Sequence, residues 1–141
     1  QLSPVARAAR IARYHEPYHA AIAAQLAALD RGGRPASLLA IHSFTPVLAG
    51  RSRPWQIGVL WDRDERVARP LLERLRRIEG LVVGDNEPYS GRHPADYTVH
   101  RHAVASGRRH CCIELRQDEI DSPAAIERWA ALLTRTLEDL L

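Results

Sequence analysis

The sequence predicts an α/β fold with at least some parallel strands and with helices on both faces of the sheet. Two observations support this: helix-type hydrophobic spacing alternates with short apolar runs of strand length, and the runs are separated by loops rich in Gly, Pro and Ser. Strands that are apolar throughout are typical of sheets covered on both faces.

The helical segments carry recognisable end signals. From Ser3 to Asp30 the apolar residues recur every three or four positions, and Pro17 interrupts them, so we expect two helical stretches joined or kinked there. Ser3 is a suitable N-cap. Residues 64–79 form a third helical pattern, and Ser122, followed by a proline, begins a fourth that runs to the end of the chain.

Four apolar runs predict strands, at residues 37–43, 55–61, 81–84 and 110–115. The segment between the first two runs, FTPVLAGRSRP, is predicted to be a loop. Ligands of open α/β sheets bind at the carboxyl ends of the strands. That rule directs attention to the polar residues near the four ends, which are His42, Asp62, Asp85 and Glu114.

Composition excludes several classes of protein. The 141 residues include 20 Lys and Arg against 17 Asp and Glu, without a nucleic-acid-binding motif, so nucleic acid is not an expected partner. No run approaches the ~20 apolar residues of a membrane span. The two cysteines, Cys111 and Cys112, are adjacent and unsuited to a mutual structural disulfide, which favours a reducing, cytoplasmic location.

His42 and Glu114 are the residues best placed for chemistry. His42 ends an apolar strand, where an imidazole can bind zinc, although a histidine that caps a strand is the more frequent explanation of such a residue. Glu114 lies within an apolar run, so its charge needs a partner. An ion pair with Arg116 and a catalytic role are both consistent with that position.

Other histidines give weaker signals. His15 and His19 in YHEPYH have the spacing of an HExxH zinc helix, but Pro17 stands where that motif requires an uninterrupted helix. His100 and His102 are predicted to lie in a helix, where their side chains diverge.

Five blocks, in order, resemble the C-terminal half of the N-formylglutamate amidohydrolase family. The resemblance spans roughly residues 14–121, and the blocks read YHEPYH, IHSFTPVLAGRSRPWQIGVLWDRD, VVGDNEPYSG, YTVHRHA and IELRQDEI. The resemblance implies a zinc carboxypeptidase-like fold, a central mixed sheet flanked by helices. It implies an amidohydrolase that typically converts N-formyl-L-glutamate to formate and L-glutamate.

By the same resemblance His42 is a zinc ligand and Glu114 the general base and acid. Asn86 and Tyr89 are expected to line the substrate pocket, with Arg116 or Arg63 pairing with a substrate carboxylate. The family's early Pro-His-x-Gly-like motif, which supplies further zinc ligands, is not found in the chain. These ligands are expected to precede Gln1; the alternatives are that the metal site has been lost or that His15 and His19 take their place.

The chain is therefore expected to be a single α/β domain over residues 1–141, the C-terminal part of a longer amidohydrolase domain. Its expected partner is a small N-acyl amino acid, with no membrane partner, and the sequence does not define an oligomeric state. The alternative is a metal-free, noncatalytic homologue or fragment that acts as a binding module. Nucleic-acid binding ranks third.

Overall fold

The computed structural model describes residues 2–33, 35–92 and 97–141. The chain divides into two compact units, Gln1–Ala36 and Ser37–Leu141. The expectation of a single domain stays a prediction.

The first unit is helical. α1 (Pro4–Arg10) passes through a π-helical turn (Ile11–His15) into α2 (Glu16–Asp30). The Ser3 hydroxyl accepts a hydrogen bond from the backbone N–H of Ala6 at 3.2 Å, as expected of an N-cap. The wider turn lies directly before Pro17, which lacks a backbone N–H and cannot continue a regular hydrogen-bond ladder. The predicted interruption near Pro17 is thus confirmed.

The second unit is built on a four-stranded mixed sheet in the order β1-β6-β4-β5. The strands are β1 (Leu38–Phe44), β4 (Ile57–Leu60), β5 (Val83–Asp85) and β6 (His110–Arg116). β1 is parallel to β6, β6 is antiparallel to β4, and β4 is parallel to β5. This confirms the predicted mixed sheet.

One face of this sheet carries the apolar core. Alternate residues of β4 and β6 join the buried side chains of α3 (Ala68–Arg76) and α5 (Pro123–Leu137) in one cluster. Its members include Ile57, Val59, Leu71, Leu75, Ile113 and Trp129. The Ser122 hydroxyl caps α5 as expected, accepting from the backbone N–H of Ala125 at 3.3 Å. The core therefore fixes which residues of β4 and β6 point to the other face.

Two further helical segments are short. α4 (Tyr97–Val99) continues into a π-helical turn (His100–Val104) and contacts β1 and β6. A 3₁₀ turn (Gln117–Glu119) follows β6. Among the described residues, no helix combines the length and apolar character that crossing a bilayer requires.

The prediction of an unstructured loop between the first two runs was wrong in part. The segment contains a small hairpin of β2 (Val47–Leu48) and β3 (Arg51–Ser52). Its two turn residues, Ala49 and Gly50, have φ of 49° and 75°. Positive φ at both central positions is the geometry of a tight hairpin turn, and alanine at the first of them concealed that signal.

The four strand ends do not all lie at one edge of the sheet. Because β4 is antiparallel to β6, the carboxyl ends of β4 and β5 lie at the edge opposite to those of β1 and β6. Asp62, just after β4, and Asp85, the last residue of β5, therefore lie away from the carboxyl ends of the two strands that carry His42 and Glu114.

Candidate functional site

A row of four residues crosses the sheet on the face away from the core cluster. His42 on β1 is the register partner of Glu114 on β6, which pairs with Gly58 on β4, and Gly58 pairs with Gly84 on β5. Register partners in neighbouring strands project to the same face. The His42 and Glu114 side chains therefore start from adjacent positions, with backbones about 4.8 Å apart.

The two members of this pair differ in environment. Glu114 is buried, with 7% of its surface exposed, whereas His42 is exposed. A carboxylate held inside the fold beside a histidine open to solvent is an arrangement suited to proton transfer at a bound ligand.

The two glycines leave room for a loop on the same face. A Cβ atom at Gly58 would lie 2.0 Å from the carbonyl oxygen of Glu87, and one at Gly84 would lie 2.6 Å from it. The backbone at Glu87 thus lies directly on the sheet. Any larger residue at Gly58 or Gly84 would displace the backbone at Glu87.

Asn86 ties the two ends of this loop together. Its side-chain Oδ1 accepts hydrogen bonds from the backbone N–H groups of Trp61 at 3.0 Å and Gly91 at 2.9 Å. Asn86 also has a φ of 55°, a left-handed conformation that asparagine tolerates better than most residues. The residue predicted to contact substrate therefore shapes the loop, which we call the Asn86–Gly91 loop. The Nδ2 of Asn86 is buried and has no hydrogen-bond acceptor among the described residues.

Tyr89 projects from the middle of the loop to a buried arginine. The Arg53 Nη1 donates to the Tyr89 hydroxyl at 3.1 Å, and the Arg53 Cζ lies 4.9 Å from the centre of the Tyr89 ring. The same Cζ lies 5.8 Å from the centre of the Phe44 ring at the end of β1. Arg53 thus joins the Asn86–Gly91 loop to the carboxyl end of the strand that carries His42.

Arg53 was not singled out from the sequence. It is one of many scattered arginines, and its neighbours in the chain suggest only a polar loop. The available signal was its position between the prolines and serines of a segment that follows the His42 strand.

Arg116, the predicted substrate-binding cation, uses its donors within the protein. Its Nε donates to Asp118 at 2.7 Å, its Nη2 to Glu119 at 3.0 Å and its Nη1 to the carbonyl of Pro54 at 2.9 Å. These contacts hold the segment that precedes β4 against the end of β6. Arg63, the other candidate, is exposed and follows β4. Substrate binding by either arginine stays a prediction.

The described residues do not complete a zinc site. Within residues 2–33, 35–92 and 97–141, no three His, Cys, Asp or Glu side chains converge as a metal ion would require. In the first unit, the His15 and His19 rings do share a helix face, with centroids 4.3 Å apart. The assignment of His42 as a zinc ligand stays a prediction, because these residues do not supply a complete site.

Asp64 and Cys111, which lie outside the row, have shifted pKa values. Hydrogen bonds from Arg66 hold the pKa of Asp64 below its ordinary range, opposed by partial burial. Burial raises the pKa of Cys111 to about 12. The Cys111 thiol is thus protonated at neutral pH and is no candidate nucleophile.

Comparison with known proteins agrees with this architecture. The chain is 30% identical to a gene product of Agrobacterium tumefaciens of known crystal structure, with a TM-score of 0.89, covering 99% of this chain and 55% of that one. It is 27% identical to an N-formylglutamate amidohydrolase from Ralstonia eutropha, with a TM-score of 0.60, covering 84% of this chain and 45% of that one.

The chain thus spans about half the length of these two solved chains. No curated protein sequence matches it. The sequence profile of the N-formylglutamate amidohydrolases matches residues 1–120. By that match, which covers most of its length, the chain belongs to the N-formylglutamate amidohydrolase family.

Proposed function

We propose that the protein is a zinc-dependent amidohydrolase that cleaves the amide bond of an N-acyl amino acid. N-formyl-L-glutamate, giving formate and L-glutamate, is the proposed typical substrate. The family match supports hydrolysis of an amide, and the Ralstonia protein carries the name of that activity. The observation that carries the proposal is the pairing of His42 with Glu114 in register on one face of the sheet.

In this proposal Glu114 is the general base and then the general acid. Its carboxylate takes a proton from the attacking water and passes it to the nitrogen of the leaving amine. Its burial shields the carboxylate from bulk water, and its place in a β-strand holds it in a fixed position. Asn86 and Tyr89 are proposed to contribute to the substrate pocket through the loop that they shape.

The role proposed for zinc is limited to His42 as one of its ligands. A catalytic zinc ion usually has three protein ligands, and the described residues contain no group of three His, Cys, Asp or Glu side chains that could hold one. A neutral imidazole is a suitable zinc ligand. The exposure of His42 leaves it accessible to an ion.

Zinc content and hydrolysis of N-formyl-L-glutamate, measured on the full-length gene product, test the proposal. His42→Ala is expected to lose zinc as measured by mass spectrometry, while His100→Ala, which alters an exposed histidine, is expected to retain it. Glu114→Gln is expected to keep zinc and lose activity by about 10²- to 10⁴-fold, because the amide cannot accept the proton. Glu73→Gln in α3 is the matched control.

Two results would contradict the proposal. A Glu114→Gln variant with full activity would exclude Glu114 as the general base. A folded wild-type protein that contains no zinc and hydrolyses no N-acyl amino acid would instead support the metal-free binding module.

A further inference from the structure

We infer that Arg53 binds a carboxylate of the substrate, so that the protein selects N-acyl amino acids that carry a free carboxylate within reach of Arg53 when the amide lies at His42 and Glu114. The identity of the ligand rests on the proposed function. The carboxylate site itself can be measured as binding, without hydrolysis.

Arg53 is a buried charge without a carboxylate partner in the described part of the chain. Its exposed fraction is 9%, and its guanidinium donates to the neutral hydroxyl of Tyr89. Among the described ion pairs none includes Arg53. Burying an ion is unfavourable unless an opposite charge compensates it. An anionic ligand provides that compensation.

The surroundings of Arg53 suit a planar anion. The Phe44 and Tyr89 rings both lie within 6 Å of its Cζ, at 5.8 and 4.9 Å, and a guanidinium is held in place by such contacts. The Tyr89 bond occupies Nη1. Its remaining N–H donors form a rigid fork that matches the two oxygens of a carboxylate.

Arg53 also lies at a suitable place relative to the proposed catalytic pair. Phe44 follows His42 by two residues on the same face of β1, which is about 7 Å along the strand. An N-acyl amino acid carries one carboxylate on the carbon next to its amide nitrogen, and a glutamate derivative carries another at the end of its side chain. An amide near His42 and Glu114 therefore leaves a carboxylate within reach of Arg53.

Equilibrium binding of glutarate, a five-carbon dicarboxylate, tests the inference by calorimetry. Arg53→Gln is expected to weaken glutarate binding by about 10- to 100-fold, the range for loss of charge-assisted hydrogen bonds. Arg53→Lys is expected to lose less affinity for glutarate than Arg53→Gln, because lysine keeps the positive charge and lacks only the paired N–H donors of the guanidinium.

Arg101→Gln is the matched control. Arg101 also donates to a tyrosine hydroxyl, that of Tyr97 at 3.4 Å, and its Cζ lies 6.0 Å from that ring, but the pair is exposed. This variant is expected to bind glutarate as the wild type does. A folded Arg53→Gln variant with unchanged glutarate affinity would overturn the inference, as would a wild type that binds no glutarate.

If Arg53→Gln does not fold, the wild type decides the question. The NMR resonance of the Arg53 Nε is expected to shift on addition of glutarate while that of Arg101 does not. An unmoved Arg53 resonance overturns the inference.

Hydrolysis assays separate this inference from the proposed function. If Arg53 is required for glutarate binding but no N-acyl amino acid is hydrolysed, the carboxylate site is supported and the proposed activity is contradicted. If N-formyl-L-glutamate is hydrolysed with an unchanged KM in Arg53→Gln, the activity is supported and the role of Arg53 is contradicted. The two monoamides of N-formyl-L-glutamate identify the carboxylate, because only the amide that removes the bound one should be insensitive to Arg53→Gln.

Discussion

His42 and Glu114 are register partners on the parallel strands β1 and β6, although 71 residues separate them along the chain. The pairing places an exposed imidazole beside a buried carboxylate on the face that the apolar core leaves free. On β4 and β5 the same row continues as two glycines, on which a loop lies. The half of the row on β1 and β6 thus carries functional groups, and the half on β4 and β5 supports the loop that lies beside them.

Gly58→Ala is expected to displace the Asn86–Gly91 loop. The new Cβ would meet the Glu87 carbonyl oxygen at 2.0 Å, a backbone contact that no side-chain rotation relieves. The free energy of unfolding should fall by about 1–3 kcal/mol, the usual cost of overpacking. Chemical denaturation measures it. Gly80→Ala is the control, since nothing lies within 4 Å of its Cβ position and only its φ of 76° opposes the change. An equal or smaller loss in Gly58→Ala would argue against the contact.

Substitutions of Asn86 should separate loop closure from ligand binding. Asn86→Ala leaves the N–H groups of Trp61 and Gly91 without their acceptor, so thermal and chemical unfolding should show a loss of about 1–3 kcal/mol. Asn86→Gly should be less harmful by about 1 kcal/mol because it accepts the positive φ.

Asn86→Asp retains the oxygen acceptor and removes the buried Nδ2 donor. If that donor contacts substrate, as the family resemblance implies, the KM for N-formyl-L-glutamate should rise while stability changes little. A lower stability with an unchanged KM would restrict Asn86 to a structural role.

Arg116→Gln is expected to act mainly on stability. The variant loses ion pairs to Asp118 and Glu119 and the bond to the Pro54 carbonyl, with an expected cost of about 1–2 kcal/mol by chemical denaturation. Its KM should change less than that of Arg53→Gln. A large rise in KM without a loss of stability would instead establish direct substrate binding by Arg116.

Asp64→Asn should reduce stability at neutral pH but not in acid. The Asp64 carboxylate accepts hydrogen bonds from Arg66, including one of 2.8 Å from its Nε, which lower the pKa of Asp64 in the folded protein. The stabilisation is present above the ordinary aspartate pKa of about 4, and it is lost as the pH falls through the lowered folded value. Unfolding followed at pH 7 and at pH 2–3 should show the difference between wild type and variant shrinking. A constant difference would contradict the linkage.

Cys111 is expected to resist alkylation in the folded protein. Its thiol is inaccessible and its pKa is raised to about 12, so little thiolate forms at pH 8.5. Iodoacetamide followed by tandem mass spectrometry should find Cys111 unmodified without denaturant and modified in guanidinium chloride. Rapid labelling of the folded protein would show that β6 opens readily.

The sequence by itself determined the main helices, the four strands of the main sheet and their order along the chain. Hydrophobic spacing identified the strands of the main sheet, and the capping signals of Ser3 and Ser122 were correct because they depend only on neighbouring residues. The block from His42 to Asp64 and the block around Asn86 also carried the family resemblance, which the profile match confirms.

The tertiary structure decided which of these residues meet. The sequence does not encode locally that β4 runs antiparallel to β6, and that reversal separates the ends carrying Asp62 and Asp85 from the ends of β1 and β6. Nor does it indicate that Arg53 lies buried between Phe44 and Tyr89. Spacing along the chain reports each residue's own helix or strand, whereas strand direction, register and burial depend on contacts between segments far apart in sequence.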